Sequence, residues 1–239
     1  MFGLWLVSGI LLAWGVCYPL TDLYVRFISP KSIRKGNSAG KKICLTFDDG
    51  PDPAYTPRLL LVLEKAQIPA AFFFVGEKVQ KAPDLVKKIA AAGHEVGYHT
   101  YFHRNAYLLF IKKSWAAIHQ GRVELEKLIG KPLLWFRPPW GALNLFEFWF
   151  LRRLGLRIVL WTANAKDWSN RVSPAEILSR LARKVSSNSI IVLHDSGGDP
   201  GSPGRMLKAL PEVIGYFQGQ GFQFVSLGEL LENGRESKK

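Results

Sequence analysis

Five short polar strings in this 239-residue sequence carry side chains able to do chemistry. They are Thr46-Phe47-Asp48-Asp49-Gly50-Pro51-Asp52, His99-Thr100-Tyr101-Phe102-His103, Arg137-Pro138-Pro139-Trp140-Gly141, Asp167-Trp168 and Leu193-His194-Asp195. Each has an ordinary alternative. Asp-Asp-Gly-Pro-Asp is turn chemistry. Arg137 could be a loop cation, and Asp167-Trp168 alone says little. His99 and His103, four apart, would lie on one helical face and could share a metal, although a His pair is not by itself a site. Adjacent carboxylates repel each other and call for something positive, a metal or an arginine. His194 suits proton transfer near neutral pH. Together the strings are far more specific. Two His and one Asp make a three-ligand zinc set with a position left for water. A second carboxylate can take a proton from that water, and a separate His can give one to a leaving group. Such a set suits metal-assisted hydrolysis of an amide or ester. The other two histidines, His94 and His119, read as structural or surface residues.

For these strings to meet, the chain must bring together positions spread over about 150 residues. The pattern after Lys42 predicts how. Apolar strands at 43–47, 71–75, 94–98, 133–136, 157–161, 189–193 and 222–226 alternate with helices near 57–66, 83–92, 114–129, 145–154, 174–185, 205–218 and 227–232. Helix starts are marked by Pro57, Pro83 and Ser173-Pro174, and stops by Gly93, Gly130 and Gly155. Repeated strand-then-helix units imply a parallel sheet with helical crossovers, closed or nearly closed into a barrel. The polar strings follow strands, and in a parallel barrel the C-terminal strand ends share one face.

The strings, in this order, resemble the NodB-type polysaccharide deacetylases, carbohydrate esterase family 4. The similarity spans residues 42–232 and includes Ala209-Leu210-Pro211 through Gly221-Phe222-Gln223-Phe224-Val225. It implies an α/β fold, a distorted (β/α) barrel of about seven parallel strands. It also implies a divalent metal, zinc first, with cobalt, nickel or manganese as alternatives. By resemblance Asp48 is the base and Asp49, His99 and His103 are the metal ligands. Arg137 orients the base, and Asp167 orients the acid, His194. Pro138, Trp140, Gly141, Trp168 and Leu193 form the substrate and oxyanion pocket, with the Trp140 N–H helping to hold the oxyanion. The implied activity is removal of N-acetyl groups from an N-acetylated sugar of peptidoglycan, a chitin-like oligosaccharide or a lipid-linked glycan. A deacylase of a lipid-linked amino sugar and a non-catalytic glycan binder are the alternatives. One departure is Asn164, where family members often carry an acid.

Residues 2–20 contain no charge, and as a helix they would span about 28 Å, close to a bilayer core. They are read as a transmembrane anchor or uncleaved signal, within 1–22. Residues 23–41 are read as a basic linker and 42–239 as the deacetylase domain. A single-pass protein with an extracytoplasmic domain is expected, although the cations of residues 26–42 would by the positive-inside rule favour the cytoplasm. The net charge is +13, of which residues 1–42 contribute +5, with six Lys and Arg against Asp22. Composition, 48% hydrophobic and 21% charged with two Cys, excludes a disordered chain and a disulfide scaffold. No nucleic-acid motif accompanies the charge, so anionic lipid is the expected basic-side partner. A monomer is expected. The apolar segment Tyr107–Ile111, followed by Lys112-Lys113, reads as a buried turn or as a lip touching lipid. Asn144–Leu151 reads as a helix packed on the barrel and partly exposed.

Overall fold

A computed structural model describes residues 20–21, 23–25, 29, 32–109 and 111–231. Its strands are β1 (Ser32–Ile33), β2 (Lys42–Asp48), β3 (Ala70–Phe74), β4 (Glu95–Tyr98), β5 (Trp135–Phe136), β6 (Arg157–Val159), β7 (Ala163–Asn164), β8 (Ser189–His194) and β9 (Gln223–Phe224). Its helices are α1 (Thr56–Ala66), α2 (Gly76–Lys81), α3 (Pro83–Ala91), α4 (Ile111–Ile129), α5 (Leu145–Arg153), α6 (Pro174–Ala182), α7 (Ser202–Gly219) and α8 (Leu227–Leu231). The central strands are buried on both faces: every residue of β3 is buried, as are six of seven in β2. That is the signature of a parallel sheet covered by helices, and it explains why these segments read as unbroken apolar runs. Helix starts follow local rules. Ser173 and Glu176 form a reciprocal capping box at α6, with Pro174 in its first turn.

All the strand pairs are parallel, in the order β1-β6-β5-β4-β3-β2-β8-β7, with β9 also on β2. β6 and β7 are only three residues apart in the chain, yet β6 pairs with β5 and β7 with β8. Residues 157–164 thus touch both limbs of the sheet, and the sheet curls into a half-barrel. Two cores result. Cys44, Ala71, Phe73, Trp135, Val159 and Ile190 fill the concave side, while a larger cluster lies between the sheet and the helices.

All seven expected strands are present, several of them shorter than read. β1 and β7 were missed because two residues carry no period. β1 also corrects the reading of 23–41 as linker. Ile33 is buried, Gly36 N–H donates to Asn188 O at 2.8 Å, and Ser38 Oγ bonds Asn188 Oδ1 at 2.8 Å. A Cβ on Gly36 would meet Leu230 at 2.5 Å. Residues 32–38 therefore belong to the domain. Among the described residues no helix is long and apolar enough to cross a membrane. The expected anchor lies outside the described residues up to position 19.

Asn144 and Glu147 show how α5 is set. Asn144 caps the helix by accepting the Glu147 N–H at 2.8 Å, and its amide reaches back to Ser114 Oγ at 3.0 Å. Glu147 itself is 1% exposed, and neither carboxylate oxygen has a hydrogen-bond partner. Burial pushes its carboxyl up to about 8, only partly opposed by the nearby Asn144 backbone N–H. The unfolded chain ionises near the ordinary glutamate value while the folded chain stays protonated. Stability is therefore present at acid pH and lost as pH rises towards 8, by at most about 1.4 kcal/mol per pH unit. Glu147→Gln should raise Tm by several degrees at pH 8 and by little at pH 5. Equal melting curves at both pH values would contradict this.

Candidate active site and metal centre

Register places the site. Asp48 and His194 are paired neighbours at the ends of β2 and β8. Tyr98 pairs with Phe136, so His99 and Arg137 stand side by side one residue beyond β4 and β5. Backbone bonds extend the ladder there: His99 N–H to Phe74 O at 2.8 Å and Arg137 N–H to Tyr98 O at 2.9 Å. All seven residues expected to act as bases, acids, ligands or orienters therefore come from one end of the sheet.

Arg137 is the largest fully buried side chain among the described residues. Its guanidinium donates to Asp48 Oδ1 at 2.7 Å, Thr46 Oγ1 at 2.6 Å, Val159 O at 3.1 Å and Leu160 O at 3.2 Å. It lies over the Phe73 ring at 4.1 Å. A buried charge is tolerable only when paired and fully bonded, and here both conditions hold. The ion pair also fixes the direction of the Asp48 carboxylate.

Asp49, His99 and His103 bring their ligand atoms within 4.8 Å of one another. Asp49 Oδ1 lies 3.4 Å from His99 Nε2 and 3.0 Å from His103 Nε2, yet this buried oxygen lacks a properly directed hydrogen bond. An orphaned carboxylate oxygen between two imidazole nitrogens is the donor set of a His₂Asp centre, so the residues fit a divalent ion. His99 Nδ1 lies 2.5 Å from Arg137 O. Donation there leaves the Nε2 lone pair facing the cluster, as a metal ligand requires. Burial raises the Asp49 carboxyl, but the His103 and His99 imidazoles outweigh it and the net direction is down.

The two histidines do not share a helix, contrary to the spacing argument. Residues 99–105 are irregular, and Thr100 and His103 have φ of 64° and 48°. The left-handed turn, not an i,i+4 helical face, aims them together. Positive φ at non-glycine residues is uncommon and costs stability. Seven such residues occur among those described, and Asp49, Thr100, His103, Trp140 and Lys166 lie in or beside the site strings. Strain is concentrated where geometry must be imposed.

His194 and Asp167 form a second unit. Asp167 is 1% exposed and accepts both the His194 backbone N–H at 2.7 Å and Nδ1 at 3.1 Å. Burial lowers the imidazole, but Asp167, helped by Asp48 and Asp49, raises it to about 9. His194 is thus protonated at neutral pH. Trp168 meets it edge-on at 5.2 Å, and the exposed Trp140 ring lies 4.6 Å from His103. Pro138 and Gly141 are buried below the Trp140 turn.

Leu193 is corrected. It is 1% exposed in the layer between sheet and helices. Strand alternation turns it away from His194, and Val192 takes the inward face instead. Sequence reading also missed a supporting ring. Lys78 Nζ donates to Asp49 O at 2.8 Å and to Ser196 Oγ at 2.7 Å, and Ser196 Oγ reaches Asp52 Oδ2 at 3.3 Å. Thr56 Oγ1 donates to buried Asp195, whose carboxyl burial raises to about 7. Gly50 and Gly197 are required for close approach: a Cβ would meet Asp195 Oδ1 at 2.5 Å and Asp49 Oδ2 at 2.7 Å, respectively. The signals for this ring were the length of the TFDDGPD string and Asp195 in the Leu193-His194-Asp195 string. At Asn164, the side-chain oxygen is buried without a hydrogen-bond partner.

Known proteins resemble this chain in sequence and in fold. The polysaccharide deacetylase family model matches residues 35–159. A peptidoglycan-N-acetylglucosamine deacetylase of Bacillus cereus is 37% identical over 193 residues, covering 80% of this chain and 88% of that protein. The peptidoglycan-N-acetylmuramic acid deacetylase PdaA of Bacillus subtilis is 29% identical, covering 82% and 73%. Among solved structures, the Bc1960 peptidoglycan N-acetylglucosamine deacetylase superposes with a TM-score of 0.79 at 29% identity, covering 87% and 95%. BA3943 of Bacillus anthracis, a CE4 family pseudoenzyme, superposes at 0.76 and 27% identity, covering 87% and 71%. Fold alone therefore does not carry activity within this group. From the family match and the identity of these relatives, the chain belongs to the polysaccharide deacetylase family.

Proposed function

We propose that the chain is a divalent-metal-dependent hydrolase that removes N-acetyl groups from amino sugars of peptidoglycan. The observation carrying this reading is the meeting, at one sheet end, of an Asp-His-His donor set, an Arg-fixed carboxylate and an imidazole held by Asp167. The names of the relatives support peptidoglycan over other glycans.

Asp49, His99 and His103 would hold the ion, with zinc preferred by its two imidazoles and one carboxylate. When bound, such an ion supplies Lewis acidity and lowers the pKa of water. Asp48, aimed by Arg137, accepts a proton from the attacking water. The Trp140 N–H is a donor for the oxyanion that develops on the acetyl carbonyl. An amine leaves poorly unless protonated, and His194, charged at neutral pH, delivers that proton. Asp167 holds His194 in the required tautomer and orientation.

Residues 1–22 are read as the membrane anchor, with the domain on the wall side. The test is acetate release by the purified full-length protein supplied with zinc. Peptidoglycan should release acetate faster than chitin-like oligomers of N-acetylglucosamine. No release from either, or from lipid-linked N-acetyl sugars, would contradict the reading.

A further inference from the structure

Outside the site, one face of the domain combines exposed apolar side chains with an excess of positive charge. Ile111, Leu145 and Trp149 are 51%, 50% and 52% exposed, and Trp115 is also exposed. They occupy the first five residues of α4 and of α5. Both helices follow site loops within a few residues: α4 begins at Ile111, after the His99–His103 loop and a short turn at Ala106–Leu108, and α5 begins at Leu145, after the Trp140 turn. A rise of 1.5 Å per residue keeps all four within about 6 Å of the helix starts. The Asn144–Ser114 hydrogen bond ties the two first turns together. Trp115 and Trp149 both pack on Phe150, at 4.9 and 5.2 Å, so the patch is continuous. Exposed Phe102 and Trp140 lie in the two site loops that precede these helices.

Charge is skewed on the same elements. Residues 100–166 contain eleven Lys and Arg against three carboxylates, Glu124, Glu126 and the buried Glu147, a net +8; among the cations Arg137 is buried on Asp48 and Arg122 is ion-paired to Glu126. That equals the +8 of all residues from 43 to 239, so the remainder of the domain is neutral overall. Lys112 and Lys113 sit in the exposed first turn of α4, and Arg153 lies over Trp149 at 5.0 Å. Tyr24 packs edge-on against Phe148 of α5 at 5.8 Å. Tyr24 therefore lies beside α5.

We infer that the first turns of α4 and α5 form a lip that docks on an anionic bilayer surface next to the mouth of the active site. Aliphatic side chains such as Ile111 and Leu145 offer nothing to a hydroxylated glycan. Beside tryptophans and flanking lysines they match the boundary between acyl chains and acidic headgroups. The lip deepens the membrane reading above, because it orients the domain instead of merely tethering it. N-acetyl sugars presented at the membrane surface are then the substrates within reach.

The test uses the full chain in vesicles, with a nitroxide spin label placed at Ile111→Cys or Trp149→Cys and, as control, at Lys87→Cys on α3. Cys17→Ser removes one native thiol; Cys44 is fully buried in β2 and is left in place. In vesicles containing phosphatidylglycerol, labels at 111 and 149 should collide more with oxygen than with a polar nickel chelate, and the label at 87 should stay aqueous. Lys112→Glu/Lys113→Glu should return the 149 label to the aqueous value. Neutral phosphatidylcholine vesicles should do the same. Labels at 111 and 149 as aqueous as that at 87 on anionic vesicles would overturn the lip. So would retention of depth after charge reversal, or failure of the chain to float with the vesicles. Acetate release measured on the same samples reports separately on the deacetylase reading.

Discussion

Asp48→Asn is expected to lower kcat by roughly 10²- to 10⁴-fold while the protein still binds one divalent ion per chain. The reason is the division of labour between adjacent residues. Asp49 belongs to the His99 and His103 cluster, whereas Asp48 is bonded to Arg137 at 2.7 Å and lies 4.0 Å from His99 Nε2. Asparagine keeps an oxygen to accept from Arg137, so the fold survives. It cannot accept a proton from water. The cost of a less well compensated buried guanidinium should appear as a modest fall in Tm. Metal titration calorimetry and acetate release on the same variant separate the two effects. Retained activity would assign the base elsewhere. Lost metal binding would move Asp48 into the ligand set. The same variant decides between an enzyme and a glycan-binding member, since a binding protein would keep its biological activity.

Asp167→Asn should have the next largest effect, roughly 10²- to 10³-fold at neutral pH, with a distinctive pH signature. Asp167 is the main source of the upward shift that keeps His194 charged to about pH 9. Without it, burial dominates and the imidazole pKa falls. The alkaline limb of kcat/KM should therefore move to lower pH. Stability follows the same linkage. A histidine raised in the folded state contributes stability that is fully present below its unfolded value and lost as pH rises through about 9. The Tm deficit of the variant should thus be widest near pH 6 and narrow towards pH 9. An unmoved alkaline limb would show that His194 is not the acid whose charge matters.

Much of the site was legible because a parallel sheet with helical crossovers must gather its C-terminal strand ends. Asp48, His99, Arg137 and His194 each end or follow a strand, so the topology alone predicted their meeting. What the sequence hid was backbone conformation and register. The turn at His103 depends on positive φ at Thr100 and His103, which no residue-type rule announces. Leu193 looked like part of the site because it adjoins His194, but a period of two sends adjacent residues to opposite faces. β1 hid inside a stretch rich in Gly, Ser and Lys, since two paired residues leave no pattern. Lys78 comes from α2, a six-residue helix that follows β3 and reaches Asp49 only through the fold. The concentration of the domain's excess positive charge within residues 100–166 was visible only as part of an overall +13 until the helices were seen side by side.

The most direct measurement is to strip the full-length protein with a chelator, add zinc back in sub-stoichiometric steps, and follow acetate release from peptidoglycan at each step. Asp49, His99 and His103 predict that activity is abolished by stripping, rises linearly and saturates at one ion per chain. His103→Ala should show no such saturation. Full acetate release from the metal-free protein, or none from the protein carrying one ion, would contradict a metal-dependent deacetylase.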